Sequence, residues 1–242
     1  MNATKKYLTT LFLAIICTAT QAASSTGDTS LNHQEIKLDE LLADSFSVEE
    51  NNICADEACL NIFKKLKKYA NYGNPNAQVL VATAYLTGNG LEKNNELAVR
   101  HLRKAVLSGS NRARWMMSYL FKHGIGIEKN LTKASRLLNK AVDNEYAPAL
   151  FQKALESLDF NSTKNDKAKE LLTIAAEKKH KTAMYVLAKM YAYGIGSSID
   201  KVEAVKLFKN LAFYGYRDSQ SHLGTLIDEA KMQENVNAEM QA

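Results

Sequence analysis

Residues 77–91 read AQVLVATAYLTGNGL, and the same pattern returns twice: ARWMMSYLFKHGIGI at 113–127 and AMYVLAKMYAYGIGS at 183–197. Each stretch starts on alanine and carries a small residue five positions on (Ala82, Ser118, Ala188). An aromatic follows at eight (Tyr85, Phe121, Tyr191), then the glycine pairs Gly88/Gly90, Gly124/Gly126 and Gly194/Gly196. The register continues through Asn94, Asn130 and Asp200, then Ala98, Ala134 and Ala204, then Leu102, Leu138 and Phe208. A unit led by Ala149 fits with two residues deleted; it keeps Ala168, Leu172 and Ala175 but loses both glycines. The unit starts at 77, 113, 149, 183 and 219 are spaced by 36, 36, 34 and 36 residues, which chance does not produce.

The unit reads as helix, turn, helix. Apolar residues at +4 and +8, such as Val81 and Tyr85, share a helical face, and the small residue at +5 lets a neighbouring helix come close. The first glycine of each pair is expected to end the first helix in a left-handed conformation. Asn94, Asn130 and Asp200 are placed to cap the second helix, and Asp200 with Glu203 has capping-box spacing. Neither helix can bury its apolar face alone, so the units are expected to stack into an all-α, α/α solenoid of about four to five repeats. Ile62, Leu66, Tyr69 and Gly73 align with a second helix that lacks a clear first helix. Ser219 opens a last first helix, with Gly224 at the close-packing position. The two prolines, Pro75 and Pro148, stand just ahead of leading alanines, where a helix start tolerates them.

The N-terminus has Lys5 and Lys6, an uncharged, largely apolar run from Leu8 to Ala19, and small residues at Thr20 and Ala22. This is the pattern of a secretory signal peptide over 1–22, and the run is short of the roughly 20 residues that span a bilayer. The expected organisation is then a flexible segment at 23–53, the repeat solenoid at 54–231 and a polar tail at 232–242. The protein is expected to be exported, to the periplasm in the first reading and secreted in the second, without stable membrane insertion after cleavage. In that oxidising setting Cys54 and Cys59 read as a local disulfide, with two free thiols as the alternative. The 31 basic and 26 acidic residues give a mild excess spread along the chain. The densest run, Lys64, Lys65, Lys67 and Lys68, reads as a solvated helix face, so nucleic acid is not indicated.

The pattern A-x3-[LVM]-[small]-x2-[YF]-x2-G-x-G with an [ND] cap and an Ala–Leu–Ala helix resembles the SEL-one-like repeat, a longer relative of the tetratricopeptide repeat. The resemblance spans about residues 62 to 231. It implies a protein-binding scaffold or adaptor, often exported in bacteria and associated with envelope assembly, signalling or host contact. Cysteine-rich members are labelled β-lactam hydrolases, but they carry a disulfide in nearly every repeat, whereas this chain keeps one cysteine pair outside the repeats.

A search for a convergent chemical site gives none. The five histidines show no metal-ligand pairing, the G-x-G pairs follow helices instead of strands, and no nucleophile elbow is present. No cofactor or metal is expected, and the chain reads as a non-enzymatic scaffold for a protein partner. An envelope hydrolase or a cell-wall glycan binder is the alternative. Binding residues are harder to place. The +2 column holds Val79, Trp115, Phe151, Tyr185 and Ser221, as core or as a recognition stripe. The +1 column, Gln78, Arg114, Leu150, Met184 and Gln220, is expected to be the more exposed. Arg114, Trp115 and Tyr185 are the candidate partner contacts. Tyr214, Tyr216 and Arg217 read equally as a contact or as packing between repeats.

Overall fold

The computed structural model describes residues 57–158, 165–196 and 198–239, with side chains omitted for 57–60 and 231–239. The signal peptide, the segment at 23–53 and Cys54 lie outside these residues, and of Cys59 only its backbone is described. The described residues form ten helices and no strand: α1 Glu57–Asn71, α2 Pro75–Thr87, α3 Asn95–Leu107, α4 Asn111–His123, α5 Leu131–Asp143, α6 Ala147–Ser157, α7 Asp166–Glu177, α8 Lys181–Tyr193, α9 Lys201–Phe213 and α10 Ser219–Glu239. They pair as the repeat register requires, α2 on α3, α4 on α5, α6 on α7 and α8 on α9.

The loops show why. Gly88, Gly124 and Gly194 sit at φ 76°, 72° and 69° and donate back to Ala84, Leu120 and Met190. Asn94, Asn130 and Asp200 cap the second helices, their side-chain oxygens accepting from Leu97, Lys133 and Glu203 N–H at 2.9, 2.8 and 3.0 Å. Each cap's own N–H donates to the carbonyl of the +8 aromatic, Tyr85, Phe121 or Tyr191, at 2.9 Å in all three. That bond replaces the return half of the capping box at Asp200, because Glu203 instead accepts from Lys206.

The second glycine has a different duty. Gly126 lies at φ 64°, and a Cβ there would stand 2.5 Å from the carbonyl oxygen of Asn95, at the start of the preceding repeat's second helix. Gly196, also at φ 64°, closes on the preceding repeat through the Asn165 side chain, whose Cβ would stand 2.8 Å from a Cβ at 196, while the Asn165 N–H donates to the Gly196 carbonyl at 3.1 Å. At the other turn, positions 73, 109 and 215 are glycines at positive φ, while Glu145 and Lys179 hold the equivalent places at φ 50° and 62°.

The buried core forms two main clusters. One runs from Val79 to Ala149 and the other from Leu150 to Leu226, so α6 belongs to both. Two expectations fail at the ends of the stack. In α1 the buried residues are Phe63 and Ala70, whereas Ile62 and Tyr69 are 53% and 56% exposed. No described helix precedes α1, so it turns the Phe63–Ala70 face towards Ala77, Val81 and Ala84 of α2. Gly224 is exposed and a Cβ there would meet nothing, because no described helix packs beyond α10.

Two sets of substitutions test these backbone assignments by urea denaturation. Gly126→Ala is expected to cost about 2–4 kcal/mol, from clash and left-handed strain together. Gly88→Ala meets its nearest atom at 3.5 Å and should cost only about 1 kcal/mol. Lys179→Gly should stabilise by about 0.5–1 kcal/mol, since it removes a left-handed lysine at some cost in chain entropy.

His180 caps α8 through Nδ1, which accepts from Ala183 N–H at 3.2 Å, and burial lowers its pKa to about 4. The unfolded chain then takes up a proton near pH 6.5 that the folded chain refuses until about pH 4, so stability falls as pH drops through that window. Between pH 7 and 5 the wild type should lose about 2 kcal/mol more than His180→Asn, which keeps a capping oxygen and does not titrate.

Candidate partner-binding surface on the first helices

The +2 residues Val79, Trp115, Phe151 and Tyr185 are buried, whereas Ser221 of α10 is exposed. Trp115 is 4% exposed, and its Nε1–H donates to Gln152 Oε1 on α6 at 2.8 Å. Gln152 Nε2 donates to Glu156, which also pairs with Lys122 at 2.9 Å. A groove of about 170 Å³ opens beside this network, lined by Ser118, Lys122, Gln152 and Glu156. Tyr185 is 5% exposed, and its hydroxyl donates to Asp218 Oδ1 at 2.6 Å. Both rings are therefore packing residues, and they belong to different core clusters.

The +1 column is a correction. Gln78, Leu150 and Met184 are buried, because the first helices are covered on that side as well. Gln78 Nε2 donates to the Ala70 carbonyl across the seam. Arg114 is half-buried and donates to Asn111 Oδ1, which also accepts from Asn144 of α5. Tyr216 is half-buried between repeats with its ring 6.0 Å from that of Tyr185, whereas Arg217 is exposed with its guanidinium 5.7 Å from the Tyr185 ring centre.

The structure assembles a different constellation around Tyr185. Tyr185, Lys189 and Tyr193 stand at i, i+4 and i+8 on one face of α8. Opposite them are Asp218, just ahead of α10, and His222 on its first turn. The Tyr193 hydroxyl and His222 Nδ1 are 2.9 Å apart, and the Tyr193 ring is 46% exposed. His222 Nε2 lies 3.0 Å from Asp218 Oδ2 but misaligned for a hydrogen bond. Asp218 opposite Nε2 favours the tautomer protonated there, which leaves Nδ1 to accept from Tyr193. Lys189 is 6% exposed; its Nζ lies 5.1 Å from the Tyr185 ring centre.

Burial sets the electrostatics here. It raises the Tyr185 hydroxyl, and the bond to Asp218 adds to the rise. It lowers Lys189, against the opposing pull of Asp218, and it lowers His222, which is neutral at pH 7. Desolvation pushes Asp218 up, but the Tyr185 hydrogen bond, His222 and Lys189 outweigh it and leave the carboxyl lowered.

The repeat geometry has a counterpart among known proteins. The family model of the Sel1 repeat matches residues 75–110, 111–146, 163–180 and 181–212. The chain belongs to the Sel1 repeat family. A Sel1 repeat protein from Oxalobacter formigenes has a similar structure, with TM-score 0.60 and 28% identity, over 77% of this chain and 54% of that one. The uropathogenic Escherichia coli protective antigen c5321, which displays the same repeat fold, gives TM-score 0.57 at 22% identity over 71% and 37%. An exopolysaccharide production negative regulator from Rhizobium meliloti is 33% identical over 88 residues, 36% of this chain and 32% of the regulator. This Sel1 repeat chain thus matches about a third of that relative's length and about half of the Oxalobacter structure.

Sel1 repeats typically mediate protein interactions. Among the described residues, no helix is long and apolar enough to cross a membrane, and no group of three or more His, Cys, Asp or Glu is placed to hold a metal ion. Lys189, Tyr193, Asp218 and His222 escaped the sequence reading. The available signal was a lysine at the +6 position of a Sel1 first helix, where the other units carry Thr83, Tyr119 and Leu155.

The inward placement of the aromatics fixes what their removal does. Trp115→Ala should cost about 3–5 kcal/mol in urea denaturation, and Tyr185→Phe about 1 kcal/mol for the lost hydrogen bond. Arg114→Ala should stay within about 0.5 kcal/mol of wild type.

Proposed function

We propose that this Sel1 repeat protein is an exported, non-catalytic scaffold of the cell envelope that binds a protein partner on its first-helix surface between α8 and α10. The observation that carries the placement is the row Tyr185–Lys189–Tyr193. It sets a half-exposed aromatic ring beside a buried lysine, at a seam that also gathers Arg217, Asp218 and His222. Rigid aromatic residues next to charged groups are frequent anchors in protein interfaces. The family's role in protein interactions supports the scaffold reading. The basic, apolar and small-residue order of the first 22 residues supports export. The relative described as a regulator of exopolysaccharide production fits an envelope role.

Site-specific photo-cross-linking in the native host tests the placement, with fractionation of the cells testing the compartment. A benzophenone side chain in place of Tyr193 should yield a discrete protein adduct in the osmotic-shock fraction. The same probe at Val202 of α9, which is 67% exposed, should yield none. Adducts from Val202 but not Tyr193 would move the interface to the second helices, and protein retained in the cytoplasm would refute export.

A further inference from the structure

The two ends of the described stack are complementary halves of one repeat. In every complete unit the second helix buries one column of residues, Ala98, Ala134, Ala168 and Ala204, and two turns on a second column, Ala105, Ala141, Ala175 and Leu211. The corresponding residues of α1 are Ile62 and Tyr69. Both are exposed, because no described helix occupies the place of a first helix beside α1. At the other end α10 is the converse. It is a first helix by register, with Ser219 at the leading position and Gly224 at the small +5 position. Where three units stop at glycine it has Ala230 and runs on to Glu239, so no described second helix follows. His222 and Leu226 pack inward and leave Gly224 and Ile227 exposed on the other side. Exposed apolar residues kept at packing positions mark a surface that is covered in use.

The two bare faces match in volume and in charge. In the complete unit α4–α5, Ser118 at +5 and Ala134 line the same groove. Across the two ends the equivalent residues are Gly224 and Ile62. One helix has lost a side chain where the other has gained volume, which is how a packed contact tolerates change. α1 carries four lysines and one acid, whereas α10 carries four acids and one lysine. Glu229 pairs with Lys201 within the chain, and Lys67 and Lys68 lie over the rings of Tyr85 and Tyr72. The opposite signs favour unlike ends meeting and oppose contact between like ends.

The chain's own upstream residues suit α1 less well. A step of 36 residues back from α2 gives 39–51, which are acidic too, but this sets Leu41 and Phe46 at the leading and +5 positions. The four complete units have alanine at the first of these and Ala82, Ser118, Ala154 or Ala188 at the second. Phe46 and Ile62 would bring two large side chains to the place of closest approach.

We propose that α10 of one copy of this chain docks on the bare face of α1 of the next, completing a repeat between molecules and continuing the stack head to tail. The contact is heterologous, so it does not close at two copies. A single helix pair is a small interface, so assembly depends on protein concentration. The contact uses the side of α10 away from His222, and it goes beyond the partner surface described above.

Sedimentation velocity of the purified chain, from about 1 µM to about 200 µM, tests it. The average mass of the wild type should rise with concentration past that of a dimer and fall as salt is raised. Ile62→Asp and Gly224→Arg each block one end. Both positions face outward, so neither variant should lower the melting temperature. Each variant alone should stay monomeric. Their equimolar mixture should give a dimer and nothing larger, because Ile62→Asp keeps its α10 face and Gly224→Arg keeps its α1 face. A wild type that stays monomeric throughout overturns the proposal; slow hydrogen exchange at residues 41–49 in that monomer would give the α1 face to the chain's own upstream segment. Single variants that associate as the wild type does overturn it, since the contact would then lie elsewhere. A mixture that stays monomeric overturns the head-to-tail order.

Discussion

At the second glycine of the inter-helix turn, one repeat rests directly on the start of the second helix of the one before it. Gly126 meets the backbone of Asn95 at the start of α3, and Gly196 meets the side chain of Asn165 just ahead of α7, with no room for a Cβ at either place. This contact brings successive repeats close together at those turns. The rest follows from it. The leading alanines and the small +5 residues can be fully buried only because neighbouring helices are drawn in that close, and the +2 rings then have no direction to point except into the seam.

That geometry turns apparent recognition residues into structural ones and exposes others. With Trp115 satisfied by Gln152 and Tyr185 by Asp218, the seams are closed at their bases by hydrogen bonds between repeats. What remains near the surface comes from the next turns of the same helices: Tyr119 and His123 on α4, with rings 4.3 Å apart, and Lys189 and Tyr193 on α8. The two surfaces differ in charge. On the α4 side Lys122 pairs with Glu156, whereas on the α8 side Lys189 lies over the face of the Tyr185 ring. A scaffold made of similar units thereby acquires one distinctive position.

Much of this was legible because the demands fall on backbone and volume, and those choose residue types. Gly88, Gly124 and Gly194 need a left-handed conformation, Asn94, Asn130 and Asp200 need a capping oxygen, and Ala98, Ala134 and Ala204 need small volume. The repeat period and three of the four complete helix pairs follow from those positions, and the α6–α7 pair follows from Ala168, Leu172 and Ala175. The ends were less legible, because the exposure of Ile62, Tyr69 and Gly224 depends on which described helices pack against them, and no residue at those positions records that. The third unit also hides its structure: Tyr146 stands where other units have the caps Asn74, Ser110 and His180, and it packs on Trp115 without making a capping bond. At the site, sequence named Tyr185 but not its orientation, since the acceptor that turns it inward is Asp218, 33 residues away. Lys189 was hidden by its own identity, because a lysine on a helix ordinarily reads as solvated.

The central claim is that each repeat is held by its neighbours through these close backbone contacts, so local stability should follow the number of neighbours. Native-state hydrogen exchange, resolved by residue, measures this directly. Amides of α4 and α8, which have repeats on both sides, should exchange most slowly and with similar protection. Those of α10, which among the described residues has a neighbour on one side only, should open at clearly lower free energy. Protection in α10 equal to that in α8 would show that the stack is not stabilised by nearest-neighbour contact, and would contradict the account.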